Sequence, residues 1–259
     1  MSTYVYGITA AAHPALPEGM DGVGDPPRRV RVLTEGGLAA LVSEAPAGLR
    51  PGRRDLLAHR NVLARAGDGG CVLPMRFGSV APDDDTVTGV LAERADHYRE
   101  RLRTLDGKVE YHVRAGHIEE AVLHRVMSED PELRALAEAG RKAGGGTHQS
   151  RMRLGAMVVA AVQAREAEDA AEVRQVLEAE SAAVSAEPDP TGWLVNVSFL
   201  VDRRSAGSFL AGAERLRRSR PHLDLSVNGP LPPYSFVEPG PAEPAVSTAG
   251  RGHRQQEDR

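Results

Sequence analysis

Three histidines lie close together in this chain, His112, His117 and His124, with Glu120 between the last two. If 117–128 is helical, His117, Glu120 and His124 fall on one face, at i, i+3 and i+7. Imidazoles and carboxylates gathered on one face can hold a metal ion. At about 1.5 Å of rise per residue, however, the two histidines stand about 10 Å apart, too far to ligate one ion directly. These residues therefore read as polar groups on a solvated face, and no metal is expected. Cys71 is the one cysteine. A thiol nucleophile needs a base within reach, and the sequence places none beside it. Its neighbours Val72 and Leu73 make it a small core residue instead. One cysteine forms neither an internal disulfide nor a cysteine-based zinc site, which fits a reducing compartment.

Two glycine-rich stretches, 19–24 and 140–147, lack the Lys-Ser/Thr of a phosphate loop, and the first lies in a Pro-rich loop rather than a strand-to-helix turn. There is no Gly-x-Ser-x-Gly elbow and no His-Glu-x-x-His. Arg215, Arg217, Arg218 and Arg220 form a basic run at the end of an expected helix, where cations favour the helix dipole. An RNA-reading surface would need exposed aromatics for base stacking. Only Phe199 and Phe209 are nearby, and Phe199 reads as buried. Lysine is nearly absent (Lys108 and Lys142 only), leaving 30 arginines among 32 basic residues. A bias that runs along the whole chain discounts any one arginine cluster. With a net charge of −4 and a pI near 6.2, no nucleic-acid partner is expected.

The elements that would position such groups follow from the patterning of 259 residues, enough for two domains. Aromatics are only 4%, so the core must rest on Leu, Val, Ala and Met. The N-terminus lacks a signal peptide's basic start and apolar stretch. The longest apolar run, 156–162, is far short of a membrane span. The expected location is the cytoplasm, with no membrane partner.

Residues 4–8 read as a first strand, and 30–33 with 38–42 as a hairpin around Gly36-Gly37. Residues 55–66 read as a helix, and 71–80 as a buried strand with Pro74 at a bulge or edge. Asp83, Asp84 and Asp85 can cap a helix carrying one apolar stripe from Val87 to Leu105. A domain boundary is placed here. Residues 108–113 alternate as a strand, 117–128 read as a helix, and Pro131 opens another. A long helix spans 148 to about 181, with Met152, Gly155, Val159, Val162, Val173, Val176 and Leu177 as candidates for its buried face. The Pro188-Asp189-Pro190 stretch ends that region. A strand (193–201), a helix (205–218) and a strand (222–227) complete the order. The expected fold class is α+β. An N-terminal mixed α+β domain covers 1–105, and a C-terminal modified ferredoxin-like domain with a helical insertion covers 106–238.

Three segments carry a resemblance. Tyr4-Val5-Tyr6-Gly7-Ile8 opens the chain. Val72-Leu73-Pro74-Met75-Arg76-Phe77-Gly78-Ser79-Val80 follows, and Asn228-Gly229-Pro230-Leu231-Pro232-Pro233-Tyr234-Ser235-Phe236-Val237 closes the folded part. Together, in this order, they resemble the GvpL/GvpF family of gas vesicle proteins, with 107–113 and 196–201 as two further similar segments. Leu231 departs from the pattern, where the family often has Trp. Arg114 keeps the charge where Lys is common.

The resemblance implies a non-enzymatic accessory or minor structural protein that needs no cofactor. Its implied partners are the small hydrophobic shell protein and other accessory gas vesicle proteins. A small-molecule enzyme on a ferredoxin-like scaffold, or an RNA-binding module, are the rival readings. The motif residues themselves read structurally. Pro74, Met75, Arg76, Phe77 and Gly78 would lie on a strand, with Met75 and Phe77 on one face. Arg76 would then either pair across the domain interface or face solvent. Gly229 and Pro230 would turn the chain out of the last strand. Pro233, after Pro232, would stiffen it so that Tyr234, Ser235 and Phe236 dock back as a clasp; partner binding is the other role open to them.

Residues 239–259 contain almost no large apolar side chain and are expected to be disordered. Truncation after residue 238 should leave the melting temperature unchanged, and a scanning thermal melt of the shortened chain checks this.

Overall fold

The computed structural model describes residues 1–14, 16–186 and 192–237. The 239–259 tail and the Pro188–Pro190 stop lie outside the described residues. Two antiparallel sheets, each with its own helices, make up the α+β fold.

The first sheet is built around β1 (Thr3–Ala10). On one side β1 pairs with β3 (Leu38–Glu44), which pairs outward with β2 (Arg31–Glu35). Gly36 and Gly37 close the β2–β3 hairpin with φ of 56° and 79°, the left-handed values a two-residue hairpin turn requires. On its other side β1 pairs with β4 (Leu73–Pro74) and β5 (Val80–Ala81).

The register of β1 against β3 slips between Val5 and Gly7. This bulge lets Tyr4 and Tyr6 face α1 (Arg53–Gly69), while Ile8 joins the core on the opposite face. A Cβ on Gly7 would sit 2.8 Å from the Leu73 carbonyl oxygen and 2.9 Å from Leu63 Cδ2, so only glycine fits there. The second core lies under α2 (Asp84–Glu93) and α3 (Ala95–Leu105).

The second sheet has the order β7-β8-β6-β9, formed by β6 (Lys108–His117), β7 (Ala183–Ala186), β8 (Val195–Asp202) and β9 (Leu223–Leu231). β6, β8 and β9 are joined through α6 (His148–Glu178) and α7 (Ala206–Ser219) in the manner of a split βαβ ferredoxin-like sheet. Two extra helices, α4 (Glu119–Glu129) and α5 (Pro131–Lys142), are inserted before α6. The odd-numbered residues Val109, Tyr111, Val113, Val197, Phe199 and Val201 pack against Phe209, Ala213 and Leu216 of α7 and Val173 and Leu177 of α6. Even-numbered Glu110, His112 and Ser198 take the other face.

Several expectations are corrected. The strand expected over 71–80 is two short strands flanking a turn, because Pro74 offers no N–H to continue the ladder and Gly78 adopts φ 91°. Met75 and Phe77 consequently pack on opposite faces of the first sheet, Met75 under α2 and α3 and Phe77 under α1. The single helix after Asp83 breaks at Arg94 into α2 and α3, and both pieces bury the stripe. His117 ends β6 rather than opening a helix, and His124 and Glu120 are exposed on α4. Met152, Gly155 and Val159 are exposed, because the first half of α6 packs on α4 and α5 rather than on the sheet; Asp169, Val173 and Leu177 are its buried residues. Asn228, Gly229 and Pro230 do not form a turn. They continue β9 across a second register slip, opposite Glu110–His112 of β6.

Asp84 ties α2 to the first sheet. Its carboxylate accepts from Arg31 Nη2 at 2.8 Å, from Arg31 Nη1 and from the Thr3 hydroxyl. The Arg31 guanidinium holds the Asp84 carboxyl down at about 2, from an ordinary 3.8. A depressed carboxyl contributes stability above its unfolded value and loses it as the pH falls through the folded one. The two side chains are 39% and 41% exposed, so screening limits the pair to about 1 kcal/mol. Asp84→Asn should lower the melting temperature at neutral pH by about 2–4 °C. The difference from wild type should close between pH 4 and pH 2 in melts across that range.

Candidate functional site

Helix α1 buries His59 (4% exposed) beside Tyr4 and Tyr6, both fully buried. His59 Nε2 lies 3.1 Å from the Met75 carbonyl oxygen. A carbonyl only accepts, so Nε2 carries the proton and Nδ1 accepts from the Tyr4 hydroxyl at 2.8 Å. Burial pushes the His59 pKa down and keeps the ring neutral. The Tyr4 oxygen in turn accepts from the Gly78 N–H at 3.3 Å. His59 and Tyr4 thus hold the two ends of the Met75–Gly78 turn. Phe77 packs edge-on to Tyr4 and His59, with centroids 6.0 and 5.8 Å away. Tyr6 donates to or accepts from Ser43 Oγ at 3.0 Å and accepts from the Val23 N–H at 2.9 Å. Burial raises the pKa of both tyrosines, so neither is an acid at neutral pH.

The chain leaves the second sheet along β9. A Cβ on Gly229 would lie 2.5 Å from the Tyr111 ring, so β9 crosses that ring only as glycine. Pro230 and Pro233 then line a cleft between the two sheets, about 520 Å³ in volume. Beyond it, Tyr234–Phe236 form one 3-10 turn. Tyr234 packs on the cluster of Tyr4, Tyr6 and Leu63, where burial raises its hydroxyl to about 12. Phe236 enters the other core, among Leu91, Leu102 and Leu200, and its carbonyl accepts from Arg101 Nη2 at 2.6 Å.

Between them Ser235 binds back to the second sheet. Its N–H donates to Glu110 Oε2 and its hydroxyl to Oε1, both at 2.8 Å. Ser198 donates to the same Oε1 at 2.7 Å. Glu110 is 3% exposed and sits on the polar face of β6.

The structure therefore brings the two motif segments onto one aromatic cluster. Pro74 is buried in β4, Arg76 faces solvent, and Gly78 supplies the turn. His59, Glu110 and Arg101 are the site residues that the sequence did not single out. Glu110 lies inside a recognised segment, but nothing in its spacing marks its partner 125 residues away. The cleft also holds Cys71, Lys108 and Arg203. Burial lifts the Cys71 thiol to about 11, which leaves no thiolate for nucleophilic chemistry. The two cations are taken up by carbonyls, Lys108 Nζ by Thr104 at 2.6 Å and Arg203 Nη2 by Gly67 at 3.0 Å. Metal-ligand types converge elsewhere, at the opposite end of β6, where His117, Asp169 and His222 meet.

Removing the clasp should loosen the whole molecule. Phe236→Ala is expected to cost about 3 kcal/mol, the usual loss for a buried phenyl ring. Ser235→Ala removes one hydroxyl donor from a buried carboxylate, leaving the backbone N–H in place, and should cost about 1–2 kcal/mol. Urea unfolding of both variants measures this, and a Ser235→Ala midpoint equal to wild type would remove Glu110 as the anchor.

Comparison with known proteins bears on the same span. The family described as "Gas vesicle synthesis protein GvpL/GvpF" matches residues 2–238. Gas vesicle protein F of Streptomyces sp. (strain CB03234) is 60% identical over 238 residues, covering 92% of this chain and 100% of that protein. Gas vesicle protein L of the same strain is 31% identical over 252 residues, covering 90% and 92% respectively. Crystal structures of gas vesicle protein GvpF share the fold. The Anabaena sp. PCC7120 structure superposes with a TM-score of 0.72 at 22% identity, over 92% of this chain and 99% of that one. The Microcystis aeruginosa structure gives 0.67 at 21%, with the same coverage. The clasp joins the first strand to the Tyr234–Phe236 turn, and the family match runs across the same span, residues 2–238: this chain belongs to the GvpL/GvpF family of gas vesicle proteins.

Proposed function

We propose that the chain is an F-type accessory protein of gas vesicle assembly, acting without catalysis in the cytoplasm. It would bind the small hydrophobic shell protein, together with other accessory gas vesicle proteins, to assist nucleation or growth of the shell. The observation that carries this reading is the match over residues 2–238, with 60% identity to an F protein against 31% to an L protein. The physical motive is that apolar shell subunits aggregate unless a partner covers them until they assemble. On this reading 1–105 and 106–238 are two domains, and the motif residues Pro74–Gly78 and Gly229–Phe236 hold them in one arrangement rather than touching substrate.

Two features support a binding role over an enzymatic one. The cleft's thiol is held protonated and its two cations are bonded to backbone carbonyls. The tyrosines of the clasp have raised pKa values, opposite to what a base at neutral pH needs. Among the described residues no helix is long and apolar enough to cross a membrane.

The deciding experiment is co-expression with the small shell protein at physiological salt, followed by affinity purification of this chain. A stable complex is expected. Recovery of this chain alone, with no gas vesicle component retained, would overturn the reading.

A further inference from the structure

The geometry points to a binding site for one divalent metal ion of the zinc class, formed by His117, Asp169 and His222. The three residues come from separate elements: the last residue of β6, the second half of α6, and the connection between α7 and β9. Their ligand atoms nonetheless lie within 4.8 Å of one another. Asp169 Oδ2 is 2.9 Å from His117 Nε2 and 2.8 Å from His222 Nε2. The side chains are 8%, 0% and 3% exposed.

A tetrahedral zinc ion holds nitrogen and oxygen ligands at about 2.0–2.2 Å, which sets the ligand atoms about 3.4 Å from one another. The His–Asp separations need to widen by about 0.5 Å, and the two imidazole nitrogens, within 4.8 Å of each other, must draw together by up to about 1.4 Å to admit the ion. Two imidazoles and one carboxylate are the borderline donor set that zinc, cobalt and nickel favour over magnesium or calcium. Three protein ligands leave the fourth position for water.

The surroundings both support and limit the site. Arg165 donates through Nε to Asp169 Oδ1 at 3.2 Å. It therefore occupies the carboxylate oxygen turned away from the histidines and orients the ligating one, as outer partners of metal sites do. A neutral imidazole that ligates through Nε2 keeps its proton on Nδ1. His117 Nδ1 is buried and has no hydrogen-bond partner among the described residues, so the proton placed on it needs a water as acceptor. His222 Nδ1 lies 3.2 Å from Arg125 Nη1, and two donors cannot face each other. Arg125 must swing toward Glu129, whose carboxylate already lies 2.9 Å from its Nε. Glu129 and Glu168 also flank Arg165, at 3.5 and 3.2 Å, and offset part of the positive charge. Two guanidiniums nearby keep the affinity below that of a structural zinc finger. When bound, the ion would pin α6 to the end of β6 and the start of β9, beside the root of the α4–α5 insertion.

The test uses the full chain, treated with a chelator, dialysed, and titrated with Zn²⁺ by calorimetry and with Co²⁺ by visible absorption. One ion per chain is expected, with the intense bands of four-coordinate cobalt and a raised melting temperature. His117→Gln and His222→Gln should each lower the affinity at least tenfold. Absence of stoichiometric binding to wild type overturns the site and leaves a hydrogen-bond network only. Binding unchanged in both variants overturns it too, since the ion then sits on other histidines. If a variant fails to fold, the wild-type cobalt spectrum decides: weak six-coordinate bands would count against the site and intense four-coordinate bands for it. The assembly role stands or falls separately, because co-purification can be run in the presence of chelator.

Discussion

A carboxylate buried in the middle of a β-strand must find a donor for each oxygen, or the strand pays several kilocalories for its desolvation. Glu110 meets that demand with Ser198 from the neighbouring strand and with the backbone and side chain of Ser235 from the far end of the chain. Much of the architecture follows from this satisfaction. It fixes where the chain goes after β9, and that places Tyr234 on one core of the first sheet and Phe236 in the other. Hydrogen bonding sets the position, and aromatic burial supplies most of the free energy.

The first sheet is shaped to receive this visitor. Strand alternation puts Tyr4 and Tyr6 on the same side of β1, toward His59, the bulge sends Ile8 to the other, and His59 and Tyr4 clamp the Met75–Gly78 turn that Phe77 caps. Each motif segment is thus the neighbour of another across the fold, although they lie at the beginning, the first third and the end of the sequence. In this chain the three segments meet in one packed cluster.

Local chemistry in the sequence was legible where one residue type decides the outcome. Gly36-Gly37 announced a hairpin, and Pro131 announced a helix start; the structure adds the cap, the Asp130 carboxylate accepting from the N–H of Leu133 at 3.1 Å. The alternation of Val109, Tyr111 and Val113 marked a sheet face that the structure keeps. Legibility failed where a decision depends on a distant partner. The 71–80 segment is apolar enough for a strand, but Pro74 and Gly78 break it into a turn, and the turn's partner, His59, comes from α1. Asp169 sits within a helix of ordinary amphipathic composition, and only folding shows that two histidines 52 and 53 residues away converge on it. The first half of α6 carries apolar residues at helical spacing, yet the sheet ends before reaching them.

The placement of Phe236 has a consequence for synthesis. Its core is otherwise formed by residues of the first half, from Ile8 to Leu105, together with Leu200 of β8. While the ribosome is still making the second half, that core has an open seat, and the surface around it remains apolar. The first half therefore emerges as an unfinished body, sealed only when the Tyr234–Phe236 turn is delivered. The long sequence separation of this closing contact makes it a late step in folding.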